Sequence, residues 1–329
     1  MMKYPRTVLS GRIEPNHKLI YQTSLGSLFQ GDCLPFMNTL LDSSVDMIFA
    51  DPPFNLGKDY GEGISDEMQE TEYLAWSEKW LKECIRILKP GGSLFVFNLP
   101  KWLISYGAYL NTQGMLFRHW IACRMPKGFP RGKKLAPVHY GLLYYTKGIP
   151  TTFNKVYIPI PVCRHCGGEI HDYGGHRDKL NPQGLNMMDI IENDTAVWDF
   201  QPKYQTEMED IVEDIPPVRH SQYKIRGANE LAPILLERLI LLASNAGEMI
   251  FDPFGGSGTT YYAAEKLGRH WLGIELGDVT PAIKRLKDYA EGHSTDWERV
   301  RNIPTQQRKQ SKKVRKVQRA VPTQATLLE

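Results

Sequence analysis

Four short apolar runs, each bounded by polar, glycine or proline residues, stand out along the chain at residues 45–50, 93–98, 249–251 and 271–274. Runs this short and this continuously apolar are the mark of strands buried on both faces, as in a parallel sheet. Over residues 70–88 and 233–243 leucine and isoleucine recur at three- and four-residue spacing, which predicts helices with an apolar face. Strands alternating with helices predict an α/β fold, a doubly wound and mostly parallel sheet covered on both sides. Ligands of such sheets sit beyond the carboxyl ends of the strands, so loops that directly follow a strand are where chemistry is expected. Between residues 150 and 226 the periodicity fails, and proline, glycine, histidine and aspartate are frequent. This predicts an inserted lobe at 150–226 between two parts of the sheet domain, 1–149 and 227–298, with a separate tail at 299–329.

Composition narrows the class. A chain of 329 residues can bury a sizeable core. With 42% hydrophobic and 23% charged residues, and no apolar run near the roughly 20 residues of a membrane helix, it is expected neither to span nor to be anchored in a membrane. The N-terminus lacks the apolar stretch of a secretory signal, which predicts a cytoplasmic protein. The formal net charge of +3 is unevenly spread: nine Lys or Arg and no Asp or Glu fall between Arg299 and Arg319. That tail reads as solvated, disordered chain that adds salt-sensitive attraction to nucleic-acid phosphates without sequence choice.

Cysteine usage fits a reducing compartment. Cys33, Cys84 and Cys123 stand singly among apolar neighbours and are expected as buried thiols. Cys163 and Cys166 form a CxxC pair, followed by His171 and His176, with glycines at 167, 168, 174 and 175 that would let a short loop wrap a metal. A structural zinc ion is the natural candidate for these four ligands. Histidines that contact phosphate, or a pair that binds nothing, are the competing readings.

Two loops begin with a carboxylate at a predicted strand end. The later one, Asp252, Pro253, Phe254, Gly255, Gly256, Ser257, Gly258, Thr259 and Thr260, has small residues where a strand turns into a helix, so backbone amides can approach a ligand closely. No lysine follows its last glycine, which argues against a phosphate loop. The next strand ends in Glu275, spaced to accept hydrogen bonds from ribose hydroxyls. A nucleoside without phosphates fits that pair best, and S-adenosylmethionine is such a molecule. In the earlier loop, Asp51, Pro52, Pro53 and Phe54 form a stiff turn whose prolines lack N–H donors. The Asp51 carboxylate and the Pro52 carbonyl can accept two hydrogens from an amino group, and Phe54 can offer a face to a planar base.

The order of the two motifs, DPPF first and FDPFGGSGTT far downstream with an irregular lobe between, resembles the beta class of DNA amino-methyltransferases, which act on adenine N6 or cytosine N4. The resemblance covers roughly residues 25–290. It implies a Rossmann-like methyltransferase fold, S-adenosylmethionine as donor, double-stranded DNA as partner with the target base flipped out, and a target-recognition role for the lobe. A cognate restriction endonuclease and a homodimer are further partners it brings into view. Gly31, Asp32, Cys33 and Leu34 resemble the segment whose acid approaches the cofactor's adenine, and residues 138–147 the segment beside the flipped base. Where the family usually has HPTQKP, this chain has Arg226 to Pro233 without the lysine, so Asn229 or Glu230 is expected at the methionine end. The reading is a site-specific adenine-N6 methyltransferase. Cytosine N4, an RNA or protein amide substrate, or a catalytically silent DNA-binding regulator stand as alternatives.

Overall fold

The computed structural model describes residues 8–9, 17–57, 66–124, 133, 139–158, 185–186, 190–191, 223 and 230–293. The expected α/β sheet is present, with nine strands. β1 (Lys18–Gln22), β2 (Gly26–Gln30), α1 (Cys33–Asn38), β3 (Val45–Ala50), α2 (Glu70–Ile87), β4 (Leu88–Asn98) and α3 (Pro100–Thr112) come first. β5 (Leu116–Arg124) and β6 (His139–Thr146) follow, then the short β7 (Tyr157–Ile158), β8 (Leu185–Asn186) and β9 (Ile190–Ile191). The chain returns through α4 (Pro233–Ala243), β10 (Met249–Asp252), α5 (Thr259–Lys266), β11 (His270–Glu275) and α6 (Thr280–Ala290).

In the main sheet the strand order is β1-β2-β11-β10-β3-β4-β6-β5-β9, while β7 and β8 pair separately. From β2 to β4 every neighbour runs parallel; β1 and β6 are antiparallel to their inner neighbours. Alternate side chains of the buried strands enter opposite cores. Met47 and Phe49 join α4, α5 and α6 on one face, while Ile48 and Ala50 join α1, α2 and α3 on the other. β3 leads through α2 outward to β4, and β10 leads through α5 outward to β11, on the opposite face and in the opposite direction. The reversal falls between β10 and β3, which is where such sheets leave a crevice for ligands.

The structure departs from the predicted limits where pairing extends beyond the apolar run. β4 starts at Leu88 because Val45 already pairs with it across a bulge. Residues at the start of the predicted lobe still belong to the main body: Thr152 and Val156 are buried, and the Asn154 backbone N–H donates to the Leu242 carbonyl at 2.8 Å. The remainder of the lobe is mostly outside the described residues, as is the basic tail. Among the described residues no helix is long and apolar enough to cross a membrane.

Of the segment at residues 138–147, the described residues 139–147 run from one end of the sheet to the other. Tyr140 packs against Phe54 beyond the end of β3, but Lys147 lies at the other end, where its ammonium donates to the Ile85 and Leu88 carbonyls, both at 2.7 Å. It thereby caps the carboxyl end of α2, where cations are favoured. Lys147→Met keeps the stem and deletes the cap. We expect unfolding free energy to drop by roughly 1–2 kcal/mol, read as a lower urea midpoint at unchanged slope; an unmoved midpoint would contradict the capping role.

Candidate active site at the reversal of strand order

Four adjacent parallel strands end next to an acid. Asp32 follows β2, Glu275 closes β11, Asp252 closes β10 and Asp51 follows β3. The register pairs Ile250 with Met47 and Phe251 with Ile48, so the loops after β10 and β3 leave the sheet side by side. The two segments singled out in the sequence therefore lie next to each other, where the strand order reverses.

The glycine loop is shaped by a tyrosine beneath it. Tyr261 is fully buried, and a Cβ at Gly273 would lie 2.1 Å from its ring. Gly258 has φ of +75°, in the left-handed region, and precedes α5 directly. Glu275 braces the loop from β11: one carboxylate oxygen accepts the Gly256 N–H and the other the Gly277 N–H, each at 2.7 Å. Each oxygen can accept further bonds, so this bracing leaves Glu275 able to serve ribose hydroxyls as well. Asp252 is buried and accepts the Phe254 N–H at 2.9 Å. Burial pushes its carboxyl up to about 7, against the pull of hydrogen bonds from Thr260 and Phe254.

On the neighbouring element Asp32 caps α1, accepting the Leu34 N–H at 2.9 Å. Cys33 points into the core, and burial raises its thiol far above the usual range. The Glu230 side chain is 3% exposed and forms an ion pair with Arg285 of α6, whose side chain is 1% exposed. Arg285 also lies 3.4 Å from the Ser257 hydroxyl of the glycine loop. Glu230 is thus engaged in holding the loop through Arg285, a residue the sequence reading did not single out. Asn229, Cys163, Cys166, His171 and His176 lie outside the described residues.

The earlier loop is held through its carbonyls. Tyr73 of α2 donates its hydroxyl to the Pro53 carbonyl at 2.5 Å, and Trp102 of α3 donates its indole N–H to the Phe54 carbonyl at 2.8 Å. Pro52 is buried, and Asp51 is half-buried at the strand end. The Phe54 ring, 5% exposed, packs against Phe97 and Tyr140 with centroids 6.0 and 5.7 Å away. Any base that stacks on Phe54 therefore meets a ring already seated in an aromatic cluster. Tyr73 and Trp102, which support this loop, were also missed. Their only sequence signal was aromatic residues at helical spacing, which ordinarily means packing.

The comparisons decide the family. A family model described as DNA methylase, for N6/N4 methyltransferases, matches residues 45–280 and so includes both loops. The chain belongs to the N6/N4 DNA methylase family. It is 47% identical over 272 residues to the Type II methyltransferase M.BamHI of Bacillus amyloliquefaciens, a match that covers 82% of this chain. The chain spans 59% of the length of that relative. The Type II methyltransferase M.HpaI of Haemophilus parainfluenzae is 30% identical, with 84% of this chain and 79% of the relative aligned. Among solved structures, the cytosine-N4-specific PvuII DNA methyltransferase superposes with a TM-score of 0.55 at 16% identity, covering 82% of this chain and 88% of the other. That likeness agrees with the Rossmann-like fold.

Within this family site, Asp252 has a consequence that pH can reveal. A carboxyl at about 7 when folded and near 3.9 when unfolded binds its proton more tightly in the folded state. Its contribution to stability is therefore full below the unfolded value, is lost as pH rises through about 7 and is flat above that. Asp252→Asn should remove this decline between roughly pH 4 and pH 7. Denaturant melts across that range check it, and parallel profiles for variant and wild type would contradict the shift.

Proposed function

We propose that this chain transfers a methyl group from S-adenosylmethionine to an exocyclic amino nitrogen of a base flipped out of double-stranded DNA, with adenine N6 as the target. The observation that carries the reading is the adjacency of the Asp51 loop and the glycine loop at the reversal of strand order, in a chain of this family. The residues around the glycine loop fit the cofactor. The packing tolerates no side chain at Gly258 in its turn or at Gly273 of the adjacent β11, the loop carries no lysine for phosphates, and Glu275 stands at the next strand end. When bound, S-adenosylmethionine supplies an electrophilic sulfonium methyl.

Asp51 and the Pro52 carbonyl do the orienting. The Pro53 and Phe54 carbonyls are already taken by Tyr73 and Trp102, whereas the Pro52 carbonyl has no partner among the described residues. Two acceptors on one amino group hold its hydrogens and turn the nitrogen lone pair toward the methyl. The Asp51 charge would then stabilise the positive charge that grows on nitrogen as the N–C bond forms and the sulfonium S–C bond breaks, S-adenosylhomocysteine being the leaving group and one amino proton passing to water. A cysteine nucleophile is not part of this chemistry: Cys33, Cys84 and Cys123 are buried, and burial pushes the Cys123 thiol up to about 12.

The acceptors suit adenine N6 and cytosine N4 alike. Adenine follows from the aspartate that opens the motif, through the family resemblance. The Type II names of the relatives support a companion restriction endonuclease as part of the same proposal. Intact Asp51 and glycine loops speak against a silent DNA-binding regulator. Asp51→Ala is expected to lower methyl transfer by about a hundredfold or more, with the dissociation constant for S-adenosylmethionine, by calorimetry, shifted less than about threefold. Near-normal turnover would overturn the assignment.

A further inference from the structure

The catalytic loop is supported by a buried polar network whose hydrogens can be placed one by one. Asn98, at the end of β4, is fully buried, and its side-chain oxygen accepts the Leu99 N–H at 2.6 Å. That fixes the amide orientation, so its NH2 points at the Tyr73 hydroxyl, 3.1 Å away. Tyr106 donates to the same oxygen at 2.9 Å. Ser77 sits behind both, donating to the Tyr73 carbonyl at 2.8 Å and lying 3.0 Å from the Tyr106 hydroxyl. With two donors filling its lone pairs, the Tyr73 oxygen has one hydrogen left, and it is committed to the Pro53 carbonyl. A polar network this buried holds its geometry tightly when every member is satisfied.

The same helix reaches the other loop. Trp76 and Trp80 follow Tyr73 along α2 and meet the Phe254 ring at 5.9 and 5.3 Å between centroids. Phe254 belongs to the glycine loop, so α2 touches both loops from one face: Tyr73 holds Pro53, and the tryptophans pack against Phe254. A rigid helix between them is a spacer that sets how far apart the two loops stand.

We propose that Tyr73 is a positioning residue for the methyl transfer: its hydrogen bond to Pro53 aims the neighbouring Pro52 carbonyl and Asp51 across the crevice toward the glycine loop. The inference rests on the reading of residues 51–54 as the catalytic loop. Tyr73 touches no reacting atom in this scheme and acts through the loop's backbone. Because in-line transfer tolerates little misalignment, loss of one buried bond acts on the chemical step more than on cofactor affinity.

The full-length chain with Tyr73→Phe keeps the ring and its packing and removes the hydroxyl. Methyl transfer to DNA is expected to show kcat lowered about tenfold while KM for S-adenosylmethionine changes less than twofold, a split that marks an interaction made in the transition state. S-adenosylhomocysteine, titrated calorimetrically, should bind both proteins with the same dissociation constant. Tyr106→Phe, which deletes one donor to Tyr73 and leaves the loop untouched, should lower kcat about threefold with the same unchanged KM. A general packing defect would instead raise KM and weaken S-adenosylhomocysteine together with kcat, and that outcome overturns the positioning role. So does unchanged kcat in a folded Tyr73→Phe or Tyr106→Phe protein when Asp51→Ala is inactive. If Asp51→Ala itself retains turnover, the catalytic reading of the loop fails instead, and the two failures are told apart.

Discussion

The site hangs on a short stretch of parallel pairing between β3 and β10, in which Ile250 faces Met47 and Phe251 faces Ile48. So few ladder bonds would leave the register soft, because strand register is only as firm as what pins it. Asp46 pins it. Its carboxylate accepts the Met249 backbone N–H at 2.9 Å and the Lys89 ammonium at 2.8 Å, which ties the starts of β10, β3 and β4 together. A slip by one residue would turn Met47 and Phe49 out of one core and Ile48 and Ala50 out of the other. It would also carry Asp51 away from the loop that follows Asp252. Burial on both faces and a charged clamp at the strand starts therefore fix what happens at the strand ends.

Beyond the strands, the two loops are made rigid in different ways. The glycine loop folds over the buried ring of Tyr261, with Glu275 and the Glu230–Arg285 pair bracing it from neighbouring elements. Its glycines are a steric demand of that ring and of the left-handed turn at Gly258. Residues 51–54 are stiff by covalent structure at the prolines, and their carbonyls are gripped by an indole and a phenol from two helices. Leaving such carbonyls buried and unpaired would cost about 1–3 kcal/mol each. The grip leaves the Pro52 carbonyl without a partner among the described residues.

Much of the fold was legible because buried parallel strands are continuously apolar: VDMIFA and the core of β4, β10 and β11 declare themselves without any neighbour in view. β5 did not, since Arg118 and His119 interrupt its apolar pattern. α3 hides behind Pro100, which reads as a stop but serves as the first residue of a helix. That Asp51 and the glycine loop stand at strand ends was readable because an acid after an apolar run, followed by prolines or glycines, marks the end of a strand. Tyr73, Asn98 and Tyr106 were not. Their roles come from contacts between α2, β4, α3 and the Pro53 backbone, and no spacing along the chain announces which helical tyrosine will meet a carbonyl. Nor could spacing show that Glu230 pairs with an arginine 55 positions away.

The proposed transfer of a methyl group to a DNA amino group would leave its mark in cellular DNA. Mass spectrometry of nucleosides from the DNA of cells expressing the chain tests it most directly, against cells carrying an empty vector. The expected result is N6-methyladenine that appears only with the chain. N4-methylcytosine in its place would keep the amino transfer and reject adenine, and DNA with no added methylated amino base would contradict the account.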